Sequence, residues 1–327
     1  MLKVYRKSDP AGTVIEVGNL TELPADFIWV DLFNPTHAEE QLVERTVNLS
    51  IPTREEMAEI EASSRLYEEN GAVYLTASVL AGLDKNSPES TPVSFVLTQE
   101  YLITVRYADP KPFRTFADLI ARQPELLNGA VGTLVRLLDV IVDRLADALE
   151  HVASEIDNIS KHIFRRSPEE RGRRIPAIKL EALLMRIGNT QDMLAKARET
   201  ARSTTRLLAF LPASSHFKAD TEQREHLRSL RDDVDSLTDH SNFQSSSVIF
   251  LLDASLGLIN IEQSAILKIF SVASVMLLPP TLVGSVYGMN FDHMPELTWA
   301  FGYPMALMFM VMSAVLPYLF FRRKGWL

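Results

Sequence analysis

The sequence predicts an α/β domain followed by long amphipathic helices and two helices that cross a bilayer. Three observations predict it. Short β-rich runs alternate with charged helical stretches up to about residue 129. Apolar residues then recur at three- and four-residue steps over long proline-poor stretches. Finally, no charged residue occurs from Ile269 to Phe291 or from Leu297 to Phe321, and each stretch supplies the roughly 20 apolar residues that span a hydrocarbon core.

In order along the chain, Phe27–Leu32, Val73–Val79, Val93–Leu97 and Tyr101–Val105 read as strands, the last two joined as a hairpin around Thr98-Gln99-Glu100. Pro52-Thr53-Arg54-Glu55-Glu56 reads as a helix start with acids in its first turn. Between Gly132 and Phe164 no further Gly or Pro interrupts, and Leu134, Leu138, Ile141, Leu145, Leu149, Val152, Ile156, Ile159 and Ile163 form one helical face. The basic run from Arg165 to Arg174 breaks that helix and reads as a solvated connection. A second helix runs from Pro176 to about Leu208, and Pro212 ends it. No proline follows until Pro279, so one helix over about 221–287 is predicted, on the order of 100 Å long at ~1.5 Å per residue. Such a helix needs neighbours along its apolar side, and sibling subunits are the economical source.

The resulting domains are 1–129, the α/β domain; 130–212, a helical hairpin attached to it; 213–268, a stalk helix; 269–290, a first membrane helix; 291–298, an outer loop; 299–321, a second membrane helix; and 322–327, a basic tail. Trp299 and Trp326 fall where membrane interfaces are expected.

The chain has 327 residues, of which 46% are hydrophobic, enough for real cores. Its mean hydropathy of +0.03 averages a charged front with an apolar tail. A formal charge of −9 argues against a nucleic-acid backbone as the main partner and suits attraction of cations. The absence of Cys removes disulfides, thiolate metal sites and cysteine nucleophiles. The first ten residues hold no apolar run of signal-peptide length, so the N-terminal domain is expected in the cytoplasm. Lys268 precedes the first span and Arg322-Arg323-Lys324 follow the second, while Asp292, His293 and Glu296 lie in the intervening loop, which places both termini inside.

The first span carries a polar stripe. Gly257, Asn260, Ser264, Ser271, Ser274, Thr281 and Ser285 fall on one side, with Leu267 and Leu278 beside them. Polar groups in a membrane face either other helices or water, and periodicity alone does not separate the two. The two leucines fit a dewetting constriction or ordinary packing. Asp253 lies eleven residues before Ser264, about three turns, and so aligns with the stripe. It reads either as a solvated acid or as one member of a cation-concentrating ring. Pro279-Pro280 predicts a kink or a local widening.

The loop motif Tyr287-Gly288-Met289-Asn290-Phe291, followed by Met294-Pro295-Glu296-Leu297, decides nothing alone. Its context adds Ile259-Asn260-Ile261-Glu262-Gln263 before the span, Gly302-Tyr303-Pro304 opening the second, and Arg322-Arg323-Lys324-Gly325-Trp326-Leu327 closing the chain. With these neighbours the sequence resembles the CorA family of magnesium channels over its last seventy residues or so. Ile51-Pro52-Thr53-Arg54-Glu55-Glu56-Met57 and Ser63-Ser64-Arg65-Leu66-Tyr67 look like its proteobacterial branch.

The resemblance implies a homopentameric funnel in the bacterial inner membrane, with the first span of each subunit lining a passive pore for Mg²⁺ and secondarily for Co²⁺ and Ni²⁺. Gly288, Met289 and Asn290 would form the outer mouth. A neutral ring of carbonyls and amides suits hydrated Mg²⁺, which gives up its waters reluctantly. Asp292 and Glu296 would act through their field. Asn260, Ser264, Leu267, Ser271, Ser274, Leu278, Thr281 and Ser285 would line the path, with Asp253 as an inner ring. Ser264 departs from the Asn that members often carry there. Mg²⁺ would also act as a cytoplasmic regulator, with Asp232 and Asp233 as candidate sensors beside Asp253. No organic cofactor and no covalent chemistry are expected. The competing readings are a zinc transporter of the same superfamily, whose members tend to vary the Gly-Met-Asn motif, and a membrane-anchored enzyme or scaffold. No Gly-x-Ser-x-Gly, Gly-x-x-x-x-Gly-Lys-Ser/Thr or His-Glu-x-x-His motif favours an enzyme.

Overall fold

The N-terminal stretch builds a sheet from short β-branched and aromatic runs, of which the central strands are buried along nearly their whole length. In a computed structural model, which describes residues 1–17, 22–85, 87–164, 177–289, 294–295 and 299–325, the strands are β1 (Leu2–Arg6), β2 (Asp9–Ile15), β3 (Phe27–Phe33), β4 (Leu66–Glu69), β5 (Ala72–Ala81), β6 (Glu89–Leu97) and β7 (Leu102–Arg106). They form one seven-stranded sheet in the order β2-β1-β3-β7-β6-β5-β4. Every neighbouring pair is antiparallel except β3 and β7, which run parallel with Trp29 opposite Leu102 and Phe33 opposite Arg106.

Because side chains alternate across a strand, β3 sends Val30 and Leu32 to one face and Trp29 and Asp31 to the other. The first face packs Val4, Tyr74, Val96 and Ile103 under α1 (His37–Val47) and α2 (Arg54–Ala58), through Leu42, Val43 and Met57. On the second face Trp29 stacks on Tyr5 at 4.2 Å between centroids and meets Phe113 and Phe116 of α4 (Lys111–Arg122). The helix starts are encoded locally. Thr36 and Thr53 each accept from the backbone N–H three residues on, and Glu39 and Glu56 answer as complete capping boxes. A one-turn helix, α3 (Ala62–Arg65), leads into β4.

Three long helices follow: α5 (Gly129–Phe164), α6 (Ala177–Phe210) and α7 (Thr221–Tyr287). α8 (Gly302–Arg323) closes the chain. The three helices expected from periodicity are present with ends shifted by a few residues, and the basic connection at 165–174 lies outside the described residues.

The chain divides into two compact units. One is Met1–Arg166 with Leu184–Leu251, and the other is Ser167–Leu183 with Leu252–Leu327. In the first, the long helices are tied to each other and to the sheet by polar contacts. Gln244 Nε2 donates to the Leu149 carbonyl at 2.8 Å, Arg186 Nε to Glu155 at 2.7 Å, and the Ser78 N–H to Ser203 Oγ at 2.9 Å. In the second, α7 and α8 carry the two windows long and apolar enough to cross a membrane, each only 6% buried.

Candidate ion pathway

α7 runs without interruption through Pro279 and Pro280. Each proline lacks an N–H, so the carbonyls of Val275 and Met276 lose their usual helical donors. One side of this apolar half of α7 is covered and the other is not. Val272 is 3% exposed, and Met276, Val283 and Gly284 are half-buried. A Cβ added at Gly284 would come within 3.2 Å of Met310 Cε on α8, so the glycine lets the two helices approach closely.

At 100° per residue the positions 264, 267, 271, 274, 278, 281 and 285 lie on the side opposite Val272, Met276 and Val283. Ser264, Leu267, Ser271, Ser274, Leu278, Thr281 and Ser285 are all exposed, as are Asn260 and Asp253 lower on the same side. Within the stripe, Ser274 donates to the Phe270 carbonyl at 2.9 Å and Thr281 to the Leu278 carbonyl at 2.8 Å. These hydroxyls thus spend their proton on the helix and turn oxygen lone pairs outward, which suits a path for hydrated cations.

The helix ends at the loop motif. Gly288 N–H donates to the Gly284 carbonyl at 3.0 Å, and Met289 N–H to Val286 at 3.3 Å, tightening the last turn. The C-terminal end of a helix carries partial negative charge, and here it meets Gly288 and Met289, where a cation is stabilised. Asn290, Asp292 and Glu296 lie outside the described residues. α8 ends with Arg322 and Arg323 in its last turn, matching its own dipole.

Asp232 and Asp233 are exposed on the first half of α7, and Asp233 belongs to a group the sequence reading missed. Burial, followed by the charges of Asp139, Asp147 and Asp233, pushes the Asp143 carboxyl above its ordinary range. Asp139, Asp143 and Asp147 recur every four residues on α5, a spacing legible in the sequence. Their nearness to Asp233 was not. Among the described residues no three His, Asp or Glu side chains converge as a metal cage within one chain. A cavity of about 800 Å³ in the first unit is lined by charges already paired with each other: Arg144 with Asp84, Arg186 with Glu155, and Lys196 with Asp192, each at 2.7 Å.

Fold and apolar hairpin together define a two-span membrane protein with an α/β domain, whose first span continues its longest helix. The chain belongs to the CorA family, since the family model for the CorA-like Mg²⁺ transporter protein matches residues 24–323. It is 35% identical over 330 residues to the magnesium transport protein CorA of Pectobacterium atrosepticum and 34% identical over 328 residues to that of Salmonella typhimurium, with both chains of each pair covered in full. The complete structure of the CorA magnesium transporter from Methanocaldococcus jannaschii superposes with a TM-score of 0.76 at 17% identity, covering 100% of this chain and 98% of that one. The expected fold class, membrane character and family are thereby borne out, and the family is one of transporters rather than enzymes.

Proposed function

We propose that this chain is the subunit of a magnesium channel in which α7 helices from several copies surround the path. The observation that carries the reading is the uncovered stripe on α7. Its polar side is the side α8 does not cover, and although the Ser274 and Thr281 hydroxyls donate to the helix itself, their outward lone pairs and the Asn260 amide would have no partner in lipid, which is costly. An oligomer that turns these stripes toward one axis removes that cost and creates a wet path. Five copies is the number the family resemblance supports.

Gly288, Met289 and Asn290 form the mouth, where backbone carbonyls, the Asn amide and the α7 C-terminal ends meet hydrated Mg²⁺ with no full charge to trap it. Asp292 and Glu296 raise the local cation concentration. Asn260, Ser264, Ser271, Ser274, Thr281 and Ser285 carry the ion's water shell, Leu267 and Leu278 narrow the path, and Asp253 rings its inner end. Entry is passive and driven by the membrane potential. Mg²⁺ on the side of the α/β domain closes the path, with Asp232 and Asp233 among the groups that respond.

Mg²⁺ uptake into liposomes by wild type and Asn290→Ala tests this reading. The variant should lose most of the flux, and Mg²⁺ added on the α/β side should slow wild type. Unchanged flux in the variant sinks the mouth assignment, and flux of Zn²⁺ without Mg²⁺ sinks the choice of ion.

A further inference from the structure

α6 presents Arg198, Arg202 and Arg206 at four-residue steps, so the three guanidinium groups follow one ridge spanning about 12 Å at 1.5 Å per residue. They line a groove of about 520 Å³ together with Arg65 from α3, Ser78 from β5 and Ile60. The one carboxylate among its described lining residues, Glu199, already accepts from Ser78 Oγ at 3.2 Å. Arg65 donates to the Glu59 carbonyl and to Ser78, and Arg198 donates to Ser245 at 3.3 Å. Among the described residues none of the four arginines has a carboxylate within ion-pair range. Ile60, at the rim, is 87% exposed.

The complementary surface lies on other helices of the same unit. Asp139, Asp143 and Asp147 follow α5 at the same four-residue steps over the same length, with Asp233 of α7 beside them. Asp139 is partly answered by His226 at 2.7 Å and Arg136 at 3.4 Å, and Asp147 by Arg144 at 3.6 Å. Asp143 and Asp233 have no basic partner among the described residues.

We propose that the Arg65, Arg198, Arg202 and Arg206 groove of one copy of this chain docks on the Asp139, Asp143 and Asp147 ridge of the next. Two unlike patches on one chain make a head-to-tail contact, the kind that forms a ring when the rotation from copy to copy closes. The occupant is a protein surface rather than a small anion because the groove also offers an apolar rim at Ile60, which a second chain covers and an inorganic anion does not. The contact rests on the oligomeric reading above and names the surfaces that set its order. It supplies the counter-charges missing on both ridges and steers copies into register.

The Cys-free sequence makes the test direct. In the full chain, Asp143→Cys and Arg202→Cys are introduced singly and together, and a short bis-maleimide is applied. The double variant should give a ladder of covalent oligomers, and each single variant should stay monomeric on a denaturing gel. Charge reversal supplies the second arm. Arg202→Glu with Arg206→Glu, or Asp143→Lys with Asp147→Lys, should weaken assembly roughly tenfold or more at low salt, and the fourfold swap should restore it. An assembled wild type with no ladder in the double variant overturns the proposal while sparing the oligomer. Reversals without effect, or no rescue by the swap, overturn it too, as does tripolyphosphate binding to the groove of a fully assembled protein. A monomeric wild type instead sinks the oligomeric reading beneath it.

Discussion

Asp31 and Arg106 form a buried ion pair in the α/β domain. Arg106 Nη2 donates to Asp31 Oδ2 at 2.9 Å with side-chain exposures of 5% and 3%, and the guanidinium lies between the Phe33 and Phe113 rings. Thr104 donates to the same carboxylate at 2.8 Å and accepts from Trp29 Nε1 at 3.0 Å, so the network pins the parallel β3–β7 junction. Removing Asp31 leaves the buried guanidinium only Asp109, at 2.7 Å and itself 39% exposed, as a counter-charge, and leaves its Nε and Nη2 without an acceptor. Asp31→Ala should therefore cost about 3–5 kcal/mol, read as a lowered thermal midpoint of the purified full chain. An unchanged midpoint would show that the pair contributes little. Glu39 gives a pH-dependent counterpart. Burial raises its carboxyl pKa, but the Thr36 N–H and the N-terminal ammonium at 3.0 Å outweigh burial and hold it below the ordinary range. A depressed carboxylate stabilises the fold above its unfolded pKa of about 4.3, and that contribution disappears as pH falls through the lower folded value. Glu39→Gln should accordingly cost about 1 kcal/mol near neutral pH and flatten the acid limb of the melting curve.

At the scale of elements, α7 is where local rules and assembly meet. Gly284 holds α7 against Met310 of α8, and a branched side chain there meets an atom that must give by a few tenths of an ångström. Gly284→Val should reduce the yield of folded protein in detergent, whereas Val286→Ala, on an exposed position two residues on, should not. Thr281→Val keeps shape and removes the outward oxygen. Under the proposed function it lowers Mg²⁺ flux severalfold with the oligomer intact, and equal flux would return the stripe to a packing role. The β4–β5 hairpin shows what pattern alone overlooked. Its two-residue turn is Asn70-Gly71, with φ of 48° and 82°, a pair suited to positive φ. The four residues Leu66–Glu69 are too few and too polar to announce a strand, and β5 recruits them by pairing Leu66 with Leu75. β1 and β2 likewise lack a long apolar run and exist through pairing, β1 lying between β2 and β3.

For the whole molecule, under the proposed function Mg²⁺ bound to the assembled protein should stabilise it by about 2.7 kcal/mol at a hundred times the dissociation constant, read as a thermal midpoint that rises with Mg²⁺ concentration. A midpoint indifferent to Mg²⁺ but not to salt in general would remove the sensing role from Asp232 and Asp233. The sequence by itself determined the two spans, the presence of the long helices to within a few residues at their ends, the polar stripe and the family, because hydropathy, helical periodicity and a short motif are properties of neighbours along the chain. Thr53 as a helix start and the Thr98–Glu100 turn were legible for the same reason. The tertiary structure alone decided that the stripe faces away from α8, that Asp233 joins the α5 acids, and that Arg65 of α3 joins three arginines of α6. It also decided that Asp31 and Arg106 share one buried network across 75 positions of sequence. Such groupings depend on which distant surfaces pack together, and an ion pair between residues far apart in sequence leaves no periodic trace in it.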